Sequence, residues 1–430
     1  MKCGGSRAVR VSLQLVPLLS GCGLVLDLEL RDAKRDAGQV DAGPGRADAG
    51  VDAGGQDSGA RDAEPPVDAT AVDATEPDAG RPGVDAIAAG TLHTCVLVAS
   101  GEVACWGTNT DGQVGVGAPS DRVPPSIVPG LFDVRGVDAG FVHTCAFAAS
   151  GQAYCWGSAL DGRLGNGSSS GRALAPTGVV GISTFTSIAT GTWHSCGALA
   201  DGLYACWGRG GDGQLGNGAG ASTSTPTSRP ADAFVLEVTA GQGHSCALGD
   251  DGRAFCWGRG SLGQLGDGTT VSRSLPVEVD LTDLAQIDAG DLHTCARTTT
   301  GAAHCFGYNN TGQVNPFVGA TLISSPTTVP LDTAVDVSAG GVHSCAVLAS
   351  GGVACWGDND FGQLGDGTTD TRALVRVVGL TDAVDVACGA QHTCAIRRGG
   401  EVVCWGNNGS GQLGVPMPAV STTPLAVPLP

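Results

Sequence analysis

Apolar and polar positions alternate in short runs through most of this chain, and no window carries the 3.6-residue apolar period of an amphipathic helix. The stretch from Val335 to Leu380 shows the pattern. VDVSA, HSCAVLA, GVACWG and LVRVVG are four β-capable runs separated by turn-forming residues. The most regular part of the pattern, HTCVLVASGEVACWG from His93 to Gly107, returns with copies opening at His143, His194, His244, His293, His343 and His392. Four short strands in each of seven phased copies predict an all-β, seven-bladed β-propeller, in which radial repetition leaves only short, protected edges. One such unit, residues 84–430, is expected instead of the two or three domains that 430 residues would otherwise suggest.

Turn chemistry sets the expected register. Ala99-Ser100-Gly101, Ala200-Asp201-Gly202 and Asp250-Asp251-Gly252 suit three-residue hairpin loops whose last position needs positive φ. A loop pairing 98 with 102 places Cys95 directly opposite Cys105. Fourteen of the 17 cysteines repeat this spacing: Cys95 with Cys105, Cys145 with Cys155, Cys196 with Cys206, Cys246 with Cys256, Cys295 with Cys305, Cys345 with Cys355 and Cys394 with Cys404. Regular pairing predicts a disulfide framework and hence an oxidising compartment. A zinc reading of His93, Cys95 and Cys105 lacks a fourth ligand and a C-x-x-C knuckle, so no metal site is expected. The seven phased imidazoles, His93, His143, His194, His244, His293, His343 and His392, are expected to be structural, bonding backbone between strands. Of the leftover cysteines Cys3, Cys22 and Cys388, the last stands where other copies have Ala89, Ala139, Ala240, Ala289 and Ala339, which predicts a buried free thiol. Trp106 and its equivalents should fill the space between blades.

The N-terminal region has different chemistry. Lys2, Arg7 and Arg10 precede the apolar run Val11 to Leu19 and then small residues, the layout of a secretory signal over residues 1–21. Leu19-Ser20-Gly21-Cys22 resembles the bacterial lipoprotein signal motif, which implies cleavage before Cys22 and lipidation of its thiol. Gly23 follows in place of an acidic retention signal, so the outer membrane or cell surface is expected over the inner membrane. Residues 22–83 are low in complexity, with DAG at Asp36, Asp41, Asp48, Asp52 and Asp78, and read as a disordered acidic tether. A net charge of −19 disfavours a nucleic-acid partner. At the other end, TTPLAVPLP follows the last G-Q-L-G with no VDVSAG-like strand after it. The strand from Val84 to Gly90 is therefore expected to complete the seventh blade and latch the ring.

The repeat resembles the RCC1 (regulator of chromosome condensation) repeat family. Its signature is met in the first copy by Gly90, His93-Thr94, Trp106-Gly107 and Gly112-Gln113-Val114-Gly115, and in the last by Gly389, His392-Thr393, Trp405-Gly406 and Gly411-Gln412-Leu413-Gly414. The fifth copy departs from it: Phe306 replaces Trp, Asn315 replaces the last Gly, and His304 is extra. The resemblance implies a seven-bladed propeller and either guanine-nucleotide exchange on a small GTPase or inhibition by gripping a partner with one face. Taken with the N-terminus, the expectation is a monomeric, non-enzymatic cell-envelope lipoprotein. It would display the propeller for protein-protein binding, held at the membrane through its lipid and needing no cofactor. Exchange activity is disfavoured by export. An envelope polysaccharide hydrolase or lyase would need a carboxylate cluster that breaks the repeat symmetry, and only the fifth copy, around His304, Tyr308 and Asn315, offers broken symmetry. No G-x-x-x-x-G-K-[ST] or H-E-x-x-H is present, and Asp358 and Asp360 read as turn residues.

Overall fold

The computed structural model describes residues 83–430; the expected signal peptide, Cys22 and the tether up to residue 82 lie outside the described residues. Blade 1 consists of β1 (Val84–Ala89), β2 (His93–Val98), β3 (Val103–Gly107) and β4 (Val123–Ile127), paired antiparallel in chain order. Six further four-stranded meanders follow as blades 2 to 7, at 134–178, 185–229, 235–278, 284–328, 334–376 and 383–426. The first strand of every blade lines one central cavity, so the seven sheets stand around it.

Two expectations about strands are corrected. Val84–Ala89 pairs with His93–Val98 of its own repeat, and blade 7 is complete with Val420–Ala426 as its outer strand. No strand is exchanged across the closing seam. The VDVSAG-like run opens the blade that follows it. In blade 6 the outer strand is Arg372–Arg376, earlier than the run LVRVVG suggests. Val377 still donates its N–H to Val353, but Val378 donates to Gly365 and starts the turn toward the next blade.

The central hairpin of each blade has the register its turn dictates. Val98 N–H bonds the Glu102 carbonyl at 2.8 Å, Gly101 N–H bonds the Val98 carbonyl at 2.8 Å, and Gly101 has φ 80°. Cys95 consequently faces Cys105, with Cα atoms 4.1 Å apart, and all seven pairs are disulfides. The two outer pairings are irregular at fixed places, between Val84 and Ala86 against β2 and between Cys105 and Gly107 against β4. Such bulges add local twist and re-aim a side chain. Trp106 sits at the second one.

The apolar core lies between blades. Trp156 of blade 2 packs with Cys95, Val103, Cys105 and Val114 of blade 1, and Trp106 of blade 1 packs with Cys394, Val402, Cys404 and Leu413 of blade 7. Each disulfide thus lies in the same cluster as the aromatic ring of the next blade. The last glycine of the G-Q-x-G turn makes room for that ring, since a Cβ on Gly115 would stand 2.7 Å from Trp156 Nε1. Indole N–H groups bind the turn: Trp156 donates to the Gln113 carbonyl at 2.9 Å, and Trp106 to that of Gln412 at 2.8 Å. Phe306 makes no such bond. Asn315 is accommodated in blade 5 because its side chain ties the turn down, accepting from Phe317 N–H and donating to the Thr328 carbonyl.

Candidate functional site

The phased histidines form a closed circuit. His93 Nε2 lies 2.8 Å from Thr144 Oγ1 of the next blade, and the same contact joins His143 to Ser195 (2.9 Å), His194 to Ser245 (2.7 Å) and His244 to Thr294 (2.9 Å). It continues from His293 to Ser344 (2.8 Å) and His343 to Thr393 (2.8 Å), and His392 returns to Thr94 (2.9 Å). The expected backbone partner is therefore corrected to a hydroxyl of the neighbouring blade. Each hydroxyl has one proton and gives it to a carbonyl of the preceding blade: Thr94 to Gln412, Thr144 to Gln113, Ser195 to Arg163, Ser245 to Gln214, Thr294 to Gln264, Ser344 to Gln313 and Thr393 to Gln363. The imidazole must then be the donor, which fixes the Nε2–H tautomer. Nδ1 has no partner in any of the seven rings. Protonating it would bury an unpaired charged N–H, so burial lowers His93, His194, His244, His293, His343 and His392 to about 3. His143 falls well below its usual value, with Arg163 adding to desolvation. These rings are permanently neutral ties with no proton to exchange near neutral pH.

Inside this circuit the seven first strands enclose a cavity of about 300 Å³. Their inner edges have no strand partner, and buried unpaired N–H groups are costly. Side chains of the preceding blade cap them. Asp138 accepts from Thr190 N–H (2.6 Å), Gln286 from Val337 (3.1 Å), Asp288 from Ala339 (2.8 Å) and Asp336 from Val386 (2.9 Å). Thr239 and Ser338 do the same for Ala289 and Cys388, and Asp385 accepts from the amide of Ile87 across the closing seam.

This lining breaks the repeat symmetry. At the third position of the first strand the seven blades carry Ala86, Gly136, Ser187, Glu237, Gln286, Asp336 and Asp385, so blades 4 to 7 form a polar, acidic arc opposite small residues. Gln286 Nε2 donates to Asp336 at 2.7 Å, and the Asp336 and Asp385 carboxyls hydrogen-bond each other, which requires a shared proton. Burial pushes Glu237 up to about 8, with Asp288 and Asp336 reinforcing the shift and Arg297 opposing it. Asp336 rises to about 6, Asp385 well above its usual range, and Asp138 and Asp288 rise as well, all chiefly through burial. Repeat averaging had hidden this arc from the sequence reading. The legible signal was the third column of the first strand.

The fifth-copy candidates do not converge on the cavity. His304 is half-buried on the third strand, where Nδ1 meets Thr328 Oγ1 at 3.2 Å, and Asn315 is engaged in its turn. Asp358 is more than a solvated turn residue: it accepts Gln363 Nε2 at 2.7 Å, and burial and Asp360 raise its carboxyl. The sulfurs of Cys95 and Cys105 are bonded to each other, which leaves His93 no thiolate to share a metal with. Cys388 is buried as a free thiol, pushed above its usual range by burial.

Seven meanders locked into a ring by repeated side-chain ties define a closed, seven-bladed propeller scaffold. A model of the "Regulator of chromosome condensation (RCC1) repeat" matches residues 84–113, 235–264, 284–313, 334–363 and 383–412, and a second model of that repeat matches 150–198, 201–248, 251–297 and 350–396. Together they reach all seven blades and more than half of the chain, which belongs to the RCC1 repeat family. Among solved structures, human WBSCR16 is similar with a TM-score of 0.69 and 20% identity, over 76% of this chain and 94% of that one. Yeast RCC1 (Prp20), in its complex with Kap60, is similar with a TM-score of 0.67 and 19% identity, over 81% and 85%. Prp20p from Saccharomyces cerevisiae, described with its binding properties to Gsp1p and histones, gives 0.67 and 20% over 76% and 86%. At these identities the likeness is one of fold. No curated protein matches the chain by sequence.

Proposed function

We propose that this chain is a non-enzymatic binding module, an exported lipoprotein held in the cell envelope through Cys22 that presents the propeller to a protein partner. The observation that carries the binding role is a set of exposed apolar side chains carried by consecutive blades 4 and 5. Val271, Leu275, Phe317, Val318 and Leu322 are exposed there, Leu275 to 58% and Phe317 to 61%. Large exposed apolar side chains on a rigid scaffold are candidates for an interaction surface, and loops between strands tolerate the variation that recognition needs. Relatives supply an analogy, since yeast RCC1 is found bound to Kap60. The disulfides agree with an oxidising compartment, and export would separate the chain from a cytosolic GTPase, against an exchange role. A hydrolase would need free paired carboxylates, whereas Asp138, Asp288, Asp336 and Asp385 already cap backbone amides.

Crosslinking in whole cells followed by purification tests both halves. Cys22→Ser should release the chain from the membrane fraction, and Leu275→Asp with Phe317→Asp should abolish one crosslinked protein without lowering the melting temperature. Membrane retention of the Cys22→Ser variant would remove the anchor, and crosslinks indifferent to the double substitution would remove the interaction surface.

A further inference from the structure

At six of the seven seams the residue closing the first strand is Ala89, Ala139, Thr190, Ala240, Ala289 or Ala339. At the seam between blades 6 and 7 it is Cys388. Its Sγ, a ring nitrogen of His343 and the Sγ of Cys345 all lie within 4.8 Å of one another, and no other such group of potential metal ligands occurs among the described residues. Cys345 is held in its disulfide with Cys355, which leaves two free donors, the Cys388 thiol and the imidazole. His343 Nε2 is committed to Thr393, whereas its Nδ1 is fully buried with no partner. Both side chains pack against the same spot, since a Cβ on Gly340 would stand 2.9 Å from Cys388 Cβ and 3.0 Å from His343 Cε1.

We infer that Cys388 and His343 form a two-coordinate site for a soft monovalent metal ion of the copper(I) or silver(I) class. With zinc-like bonds of about 2.3 Å to sulfur and about 2.0 Å to nitrogen as a guide, two donors in line span about 4.3 Å, inside the 4.8 Å within which these atoms lie. Thiolate and imidazole select soft ions. Calcium and magnesium require about six oxygen ligands, and structural zinc requires four donors; neither set exists here. Binding exchanges the thiol proton for the ion, releasing one proton to solvent with no change of oxidation state. Thiolate and monovalent cation cancel, so no net charge is buried, which would otherwise be expensive. Cys388 lines the central cavity, as do Asp288 and Asp336.

The test uses the full chain carrying Cys3→Ser and Cys22→Ser, so that Cys388 is its sole free thiol. Titrated with silver(I) against a weak competing ligand, it should retain one equivalent after desalting, with X-ray absorption reporting one sulfur and one nitrogen. Adding Cys388→Ala should weaken binding at least 100-fold while leaving the melting curve in place, because alanine occupies this position in five other blades. Absence of binding by the parent, undiminished binding by the Cys388→Ala variant, or a shell of sulfur alone would each overturn the site.

Discussion

His392 in the last blade donates a 2.9 Å hydrogen bond to Thr94 in the first, joining residues 298 positions apart, and Thr94 in turn donates to the Gln412 carbonyl at 2.9 Å. The closing seam therefore carries the same tie as the internal ones. Thr94→Val leaves a buried His392 N–H without an acceptor and should cost about 2–3 kcal/mol. Thr393→Val should cost the same within about 0.5 kcal/mol, because Gln363, like Gln412, also receives an indole N–H. Urea unfolding of both variants decides this, and a distinctly larger loss at Thr94 would show a weaker closure.

The seam between blades 4 and 5 should be the one that gains most from repair. The Gln264 carbonyl accepts from Thr294 alone, whereas the Gln214 carbonyl receives both Ser245 and Trp257. Phe306→Trp should restore the second donor and raise stability by about 1 kcal/mol. Trp156→Phe should lower it by a similar amount, and equilibrium unfolding measures both.

Stability should peak near neutral pH. Six of the imidazoles are lowered in the folded state to about 3 from 6.5, and that of His143 falls well below 6.5, so the unfolded chain binds more protons below about 6.5. Folding free energy must fall as pH drops from about 6.5 toward 3. On the alkaline side the sign reverses: Glu237, raised to about 8 from 4.5, holds a proton that the unfolded chain has released, so stability declines as pH rises from about 4.5 through 8. Glu237→Gln should flatten the decline above about pH 6.5 and leave the loss below about pH 4.5 unchanged. Unfolding midpoints from pH 4 to 9 read both limbs.

Each disulfide closes a short hairpin loop, worth about 2–3 kcal/mol by chain entropy. Cys95→Ala with Cys105→Ala should lose that amount. Alkylation of the unfolded, unreduced full chain should leave all fourteen paired cysteines unlabelled and label Cys388. Mass spectrometry of the labelled peptides tests this, and labelling at Cys95 would contradict the pairing.

Much of this fold was legible because local chemistry dictates register: a three-residue loop ending in Gly101 forces Cys95 opposite Cys105, and the repeat period carries that result around the ring. The phase of the blades was not legible. A cyclic repeat can be cut anywhere in sequence, so Val84–Ala89 looked like a missing last strand when it is the first strand of its own blade. The histidine partners were hidden for a similar reason, since Thr144 lies one whole repeat from His93 and no short-range pattern joins them. The acidic arc escaped because its members differ between copies, and attention to what recurs discards what does not. His304 drew notice as an irregularity in a conspicuous motif, yet it lies on a third strand, away from the cavity that the first strands line.

The uniform direction of the histidine ties carries a last consequence. Every blade clasps its successor with His and a turn carbonyl, that of Gln in six blades and of Arg163 in blade 2, and is clasped by its predecessor, so all seven seams share one kind of tie. The molecule behaves as a cyclic polymer of one unit: a blade lifted from one position would find matching hands at any other, and the choice of where the chain starts is arbitrary. A permuted gene opening at Ala383 and joining Pro430 to Val84 through a short linker should fold to the same ring.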